Sequence, residues 1–344
     1  MPLVLVTGAT GFIASHTIAD LLAHGYHVRG TVRSFAKAAD HAALKALPGA
    51  SERLELLEAQ LLDPHGFDKA AEGCDAVLHM ASPYVMDVTD PQKDLVDPAV
   101  QGTVNLLKSA AQAPSVKRVV VTSSMAAITD EPEADHLLTE ADWNTKSSLT
   151  RNAYYYSKTM AERAAWSFMD EAKPAFDLVV INPFLVIGPS LTKALNTSNK
   201  VFADIVKGQY PAILALTWGF VDVRDVARAH VLALETPSAS GRYICAADTV
   251  SMRDVVGILR EALPSARKLP SFGLDHGFGT SLMRLAALTQ PPGVGSYLRS
   301  HLGRVPRYDN KKIRTELGLT FRDVRKTIAE TANDLVAWGH IKLR

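Results

Sequence analysis

Residues 3–14 read LVLVTGATGFIA. The apolar, β-branched run from Leu3 to Thr7 predicts a buried strand, and the apolar spacing over 11–24 predicts a helix. Between them stand Gly8 and Gly11, with Ala14 where a third glycine often sits. Small residues at these places let the backbone turn tightly, approach a pyrophosphate and pack the helix close to the sheet. A plain tight turn is the alternative reading. The strand before, the helix after and a second strand ending near Val32 favour a dinucleotide turn, with Thr7, Gly8, Gly11, Phe12 and Ile13 as its candidate contacts.

Outward from this turn, short apolar runs keep alternating with helical periodicity, the pattern of βαβ units that build a parallel sheet. Strands are expected at His27–Val32, Leu54–Glu58, Ala76–Met80, Arg118–Thr122 and Leu178–Ile181, with helices around 64–72, 93–112 and 151–172. After Asn182-Pro183 the chain mixes loops, shorter helices and isolated strand candidates such as Gly241–Cys245, with a last helix near 322–338. The fold class expected is α/β: a Rossmann-type doubly wound parallel sheet with a smaller C-terminal mixed α/β substrate lobe. Residues 1–182 would form the nucleotide-binding domain and carry the catalytic residues. Residues 183–344 would mainly form the substrate lobe, with 215–245 as the stretch that could return to the first domain.

Composition narrows the partners. The 344 residues are 47% hydrophobic and 21% charged, which excludes a disordered or collagen-like chain. With 37 basic and 36 acidic side chains the formal charge is +1, so no global field draws in nucleic acid or an anionic membrane. Cys74 and Cys245 cannot make a disulfide framework, and the 11 histidines show no metal-ligand spacing, so no metal is expected. The N-terminus lacks the pattern of a signal peptide, and no apolar run is long enough to span a bilayer. The expectation is a cytoplasmic protein with a small-molecule partner, acting as monomer or homodimer.

Where the second strand ends, a dinucleotide fold that takes NAD usually has an acid for the ribose hydroxyls. This chain has Arg33 and Ser34 there, with no acid until Asp40. A guanidinium suits a 2′-phosphate by charge and by its forked geometry, so NADP(H) is favoured, with Lys37 able to assist from the next turn. A solvated surface arginine is the alternative. Arg29 is less well placed.

The strand KRVVVTSS brings Ser123 and Ser124 to the edge where open α/β folds bind ligands. Thirty residues on, RNAYYYSK opens a helix with Tyr154 and Lys158 on one face. A nearby ammonium favours the phenolate and moves a phenol that titrates near 10 toward neutrality, as proton transfer at pH 7 requires. The same spacing recurs at Tyr308 and Lys312, but no strand-borne serine precedes that pair. Tyr155 and Tyr156 read as packing residues, Asn152 as a helix cap, and Asp222 and Asp225 as helix-start carboxylates.

Together TGATGFIA, HMASP (79–83), VTSS, YYYSKTMAERAAW, NPFLVIGP (182–189), FVDVRDVARAH and YDNKKIRTELGL (308–319) resemble the extended short-chain dehydrogenase/reductase superfamily. The resemblance is nearest to its branch of dihydroflavonol-4-reductases, cinnamoyl-CoA reductases and microbial aldehyde and methylglyoxal reductases. It implies an NADP-dependent oxidoreductase in which Ser124 polarises a carbonyl, Tyr154 donates the proton and Lys158 binds the nicotinamide ribose. It further implies cofactor contacts from Gln60 and Leu61, Ala81 and Ser82, Thr122, and Pro183 to Leu185. The substrate side would be lined by Tyr84, Met125, Leu191, Trp218 and Phe220 beside Ser124 and Tyr154, which suits a small hydrophobic or aryl carbonyl.

Three departures bear on detail. Ala99 stands where some members have a catalytic asparagine, Thr129 where plant dihydroflavonol reductases have asparagine, and NAYYY where cinnamoyl-CoA reductases tend to read NWYCY. An NAD-retaining nucleotide-sugar epimerase or dehydratase, and a non-catalytic NADP-binding regulatory protein, remain as alternatives.

Overall fold

Alternation of β-branched runs with amphipathic stretches gives alternating strands and helices. The computed structural model describes residues 2–36, 38–82 and 88–343. Its first half runs β1 (Leu3–Val6), α1 (Phe12–Ala23), β2 (His27–Val32), α2 (Ala38–Lys45), α3 (Ala50–Arg53), β3 (Leu54–Glu58), α4 (Asp68–Ala71) and β4 (Ala76–His79). It continues through α5 (Asp97–Gln112), β5 (Arg118–Thr122), the short β6 (Leu137–Leu138), α6 (Ala153–Ala172) and β7 (Asp177–Pro183). The second half holds β8 (Leu185–Ile187), α7 (Thr197–Val206), β9 (Thr217–Asp222), α8 (Val223–Glu235), β10 (Gly241–Cys245), β11 (Asp248–Ser251) and α9 (Met252–Ala262). After these come α10 (Gly277–Ala286), α11 (Pro292–His301), β12 (Arg307–Tyr308), α12 (Lys311–Glu316) and α13 (Val324–Ala337).

Among the described residues seven strands form one sheet in the order β10-β7-β5-β4-β1-β2-β3, every neighbouring pair parallel. The order reverses between β1 and β4, which makes a doubly wound sheet with its crevice beyond the carboxyl ends of those two strands. A parallel sheet must be covered on both faces. One face packs Ile18, Leu21 and Leu22 of α1 and Val226, Ala229 and Val231 of α8. The other packs Phe67, Leu106 and Leu107 with Ala165 of α6.

The second sheet, β11-β9-β8, is mixed: β8 pairs with β9 in parallel and β11 pairs with β9 antiparallel. It shares a separate core with α7, α9 and α13, built from Phe202, Trp218, Phe220, Val255, Leu259 and Ile328. Between these parts the chain crosses back: β10 pairs with β7 along the edge of the large sheet, and α8 packs on its face.

Two glycines illustrate how closely the large sheet is packed. A Cβ on Gly30 in β2 would lie 2.9 Å from both Ala9 Cβ and Leu56 Cδ2, whereas one on Gly257 inside α9 would meet nothing within 4 Å. Gly30→Ala should therefore cost about 1–3 kcal/mol by overpacking. Gly257→Ala should stabilise by about 0.4–1 kcal/mol by restricting the unfolded chain. Urea unfolding midpoints that moved in the same direction for both would contradict this packing.

Candidate active site

Because the large sheet is parallel, the residues singled out from the sequence emerge at one edge. Gly8 follows β1, Arg33 follows β2, Gln60 follows β3, Ala81 and Ser82 follow β4, Ser124 follows β5 and Pro183 ends β7. The crevice is closed at its base by Thr7. Its hydroxyl oxygen accepts from the amides of Met80 (3.0 Å) and Ala81 (2.9 Å), so its proton goes to His79 Nδ1 at 3.0 Å. His79 is thereby the neutral Nε2–H tautomer, and burial, reinforced by the charge of Lys158, pushes its pKa down to about 3.

Gly8 has φ +69°, and a Cβ there would lie 3.1 Å from Ala81 Cα. Gly11 precedes α1 in an extended conformation, and a Cβ on it would lie 3.1 Å from the Gly8 carbonyl. Among the described residues no side chain caps α1 and no acid stands in its first turn. A cradle without Cβ atoms, faced by the helix-terminal amides of Phe12 and Ile13, which have no partner among the described residues, fits the pyrophosphate of a dinucleotide.

Arg33 is exposed just past β2, and its carbonyl accepts from Gln60 Nε2 at 2.7 Å. Leu61 is half-buried; its side chain abuts Gly102 and its carbonyl accepts from Asn105 Nδ2 at 3.2 Å. One acid does reach this corner: the Glu58 carboxylate accepts from the Phe35 amide. Sequence reading missed it because Glu58 ends β3, a strand away from the expected place. Arg29 is structural, paired with Glu55 at 2.8 Å and bonded to the carbonyls of Ala70 and Glu72. Lys37 and Tyr84 lie outside the described residues.

The two serines after β5 have different fates. Ser123 is buried and donates to the Glu162 carboxylate, while half-buried Ser124 caps a 3-10 turn, Met125–Ala127, accepting from the Ala126 amide at 3.1 Å. On α6, the Lys158 ammonium donates to Ser82 Oγ at 2.8 Å and lies 5.7 Å from the centre of the Tyr154 ring. Burial lowers its pKa to about 8. The sheet edge, the Ser82 loop and the Tyr154 face of α6 thus meet at one ammonium.

Other side chains are placed differently from what the sequence suggested. Asn152 precedes α6 with φ +48° but makes no cap; its amide donates to Asp130 and to Ser300 Oγ. Thr122 turns its hydroxyl to His230. Since His230 Nδ1–H donates to the Val226 carbonyl at 2.7 Å, its Nε2 accepts from Thr122 at 2.8 Å. Only the Thr122 backbone is left to face a cofactor. The carboxylates of Asp222 and Asp225 hold Arg224 and Arg322, as helix-start groups should.

Leu185, expected beside the nicotinamide, and Leu191, expected on the substrate side, are both half-buried. Met125, 2% exposed, packs with Ile128, Leu138 and Ile244. Trp218 donates to the Tyr297 hydroxyl at 2.9 Å, and Phe220, also 2% exposed, packs against Phe202 inside the C-terminal core. Their alternating positions on β9 put both on the face that builds that core. Two aromatic groups not foreseen stand near Tyr154: the Tyr155 ring meets it edge-on at 6.1 Å, and the Tyr155 hydroxyl lies 3.4 Å from His301, which stacks on Tyr297 at 4.1 Å.

A family model described as the NAD dependent epimerase/dehydratase family matches residues 4–246. Cinnamoyl-CoA reductase CAD2 of Medicago truncatula is 45% identical over 269 residues, which cover 76% of this chain and 81% of that protein. Ketoreductase azaE of Aspergillus niger is 36% identical over 353 residues, covering 97% of each. Yeast methylglyoxal/isovaleraldehyde reductase Gre2, solved complexed with NADPH, matches with a TM-score of 0.81 at 32% identity, covering 98% of this chain and 100% of that one.

His16, His230 and His301 are, like His79, held low by burial, each at about 4. Their unfolded value is about 6.5, so the unfolded chain binds more protons between pH ~6.5 and ~4, and stability must fall as pH drops through that window. Each imidazole contributes a slope of at most about 1.4 kcal/mol per pH unit. Urea unfolding from pH 7 to pH 4 should show this decline; a flat profile would contradict neutral buried imidazoles.

Proposed function

The chain belongs to the NAD dependent epimerase/dehydratase family, and from that premise we propose that it is an NADPH-dependent reductase of small hydrophobic or aryl aldehydes and ketones, running in reverse as an alcohol dehydrogenase. The observation that carries the reading is the Lys158 ammonium, 2.8 Å from Ser82 and 5.7 Å from the Tyr154 ring, beside the glycine cradle. The relatives carry names of reductases, and Gre2 was solved with NADPH.

In this reading residues 1–182, joined by α8 and β10, hold the coenzyme, and the remainder of 183–344 builds the substrate side. Gly8, Gly11 and the first amides of α1 take the pyrophosphate. Arg33 takes the 2′-phosphate through charge-assisted bonds, while Gln60 and Leu61 border the adenine. Ala81, Ser82 and the Thr122 backbone pass along the coenzyme, and Pro183 to Leu185 flank its nicotinamide. When bound, NADPH supplies the hydride that the carbonyl carbon receives.

Ser124 donates a hydrogen bond to the carbonyl oxygen, and Tyr154 delivers the proton to it as negative charge develops there. Lys158 stays near the ring and favours the phenolate left behind, which solvent then reprotonates. Its lowered pKa leaves it largely protonated at neutral pH, so it still carries the charge this role needs. The epimerase alternative shares Ser124, Tyr154 and Lys158, but exposed Arg33 stands at the end of β2, and the acid that reaches this corner, Glu58 of β3, accepts from the Phe35 amide. Among the described residues no helix is long and apolar enough to cross a membrane. We read the protein as a cytoplasmic enzyme, monomeric or homodimeric.

NADPH oxidation with a panel of aryl aldehydes and α-dicarbonyls should be measurable by absorbance. Tyr154→Phe should lower turnover about 10²-fold or more. Arg33→Asp should raise KM for NADPH by about 10–100-fold and leave NADH use nearly unchanged. No turnover by wild type on any carbonyl, or equal losses with both coenzymes for Arg33→Asp, would overturn the respective assignment.

A further inference from the structure

One turn beyond Lys158 on the same stripe of α6 stands Glu162, an acid with a fully buried side chain. Its carboxylate accepts from the Ser123 hydroxyl, from Asn182 Nδ2 at 2.7 Å and from Arg242 Nε at 2.5 Å; the Trp166 indole lies at 3.5 Å. These groups present donors to it, which is the environment of an ionised, acceptor-only carboxylate. Arg242, 7% exposed, is its buried counter-charge.

Three of these donors also reach the turn that carries Ser124. Ser123 is its first residue. Asn182 donates a second bond, at 3.2 Å, to the Ser124 carbonyl. Only the NH₂ end of that amide can serve two acceptors, so its orientation is fixed by the pair. Arg242 reaches the Ala127 carbonyl with one nitrogen at 3.5 Å and the carbonyls of Glu140 and Asp142 with another, and its guanidinium lies 4.0 Å over the Trp143 ring. Glu162 therefore joins the helix of Tyr154 and Lys158 to the loop of Ser124 through Ser123 just past β5, Asn182 of β7 and Arg242 of β10.

We propose that Glu162, acting through Asn182, Arg242 and Ser123, is the positioning residue that holds Ser124 in register with Tyr154 and Lys158. The proposal rests on the reductase reading for the roles of those three side chains. The Glu162 side chain is fully buried among Ser123, Asn182 and Arg242, so its effect on turnover passes through the geometry of the Ser124 turn, where misplacement by about 1 Å costs about 10²-fold.

The test compares Glu162→Gln and Asn182→Ala with Arg118→Met. Arg118 is a control of the same kind: a buried arginine paired with Asp177 at 2.8 Å, starting β5 at the opposite end of that strand from Ser124. With melting temperature, NADPH affinity by fluorescence and steady-state kinetics measured for each, Glu162→Gln should lose about 10–100-fold in kcat while Kd for NADPH stays within about 2-fold. Asn182→Ala, the milder change should Glu162→Gln fail to fold, should lose kcat in the same way. Arg118→Met should lower the melting temperature and keep kcat.

Unchanged kcat per folded enzyme in both site variants, or NADPH affinity falling in step with kcat, would overturn the proposal. Wild type inactive on every carbonyl would remove the reductase reading instead. Crystal structures of wild type and Asn182→Ala then decide the positioning claim: a displaced Ser124 turn relative to α6 upholds it, and an unmoved one refutes it.

Discussion

Gly8 and Ala81 approach each other where the strand order reverses, and the architecture of the site depends on that contact. β1 and β4 are parallel neighbours, yet their continuing chains leave for opposite faces of the sheet, so a crevice opens between them. A side chain on Gly8 would meet the Ala81 backbone at 3.1 Å, and Thr7 ties the two exits together by accepting from Met80 and Ala81. The narrow base brings the N-terminal end of α1 and the Ser82 loop together. Ser82 in turn meets Lys158 of α6, which links the cradle to Tyr154.

Electrostatics around this space follows from who is paired. His79 and His230 are buried and neutral, each with its tautomer set by one hydroxyl or carbonyl partner, so they add no charge beneath the crevice. Positive charge at its mouth comes from Lys158 and, at the far corner, Arg33. The buried negative charge of Glu162 is matched by Arg242. Burying such a pair gives little net stability, because desolvation offsets most of the Coulombic gain. Its place beside Ser123 and Asn182 gives it a different value, as a fixed anchor on which directed hydrogen bonds converge.

The parts of the fold that were legible in the sequence are those encoded locally. Strands β2, β3, β5 and β10 occupy the residues that the β-branched runs suggested, and the doubly wound sheet follows from their alternation with helices. The glycine turn was legible because its backbone conformation demands particular residues. Less was visible where long-range packing decides. Trp218 and Phe220 read as ligand-facing aromatics, yet β9 turns them into the core of the second lobe. Thr122 looked available until the fold brought His230 of α8 against it. Glu162 and Arg242 lie eighty residues apart and follow no shared period, so their pairing emerges only once α6 and β10 are packed.

In the reductase proposed above, this edge positions a coenzyme hydride over a carbonyl carbon with Tyr154 beside its oxygen. The most direct measurement uses NADPH deuterated on the transferred face of nicotinamide C4 and mass spectrometry of the product. A reductase of this kind gives an alcohol carrying one deuterium on the carbinol carbon, with one oxidised coenzyme per alcohol formed. Product without deuterium, or conversion that leaves the coenzyme pool unchanged, would contradict it.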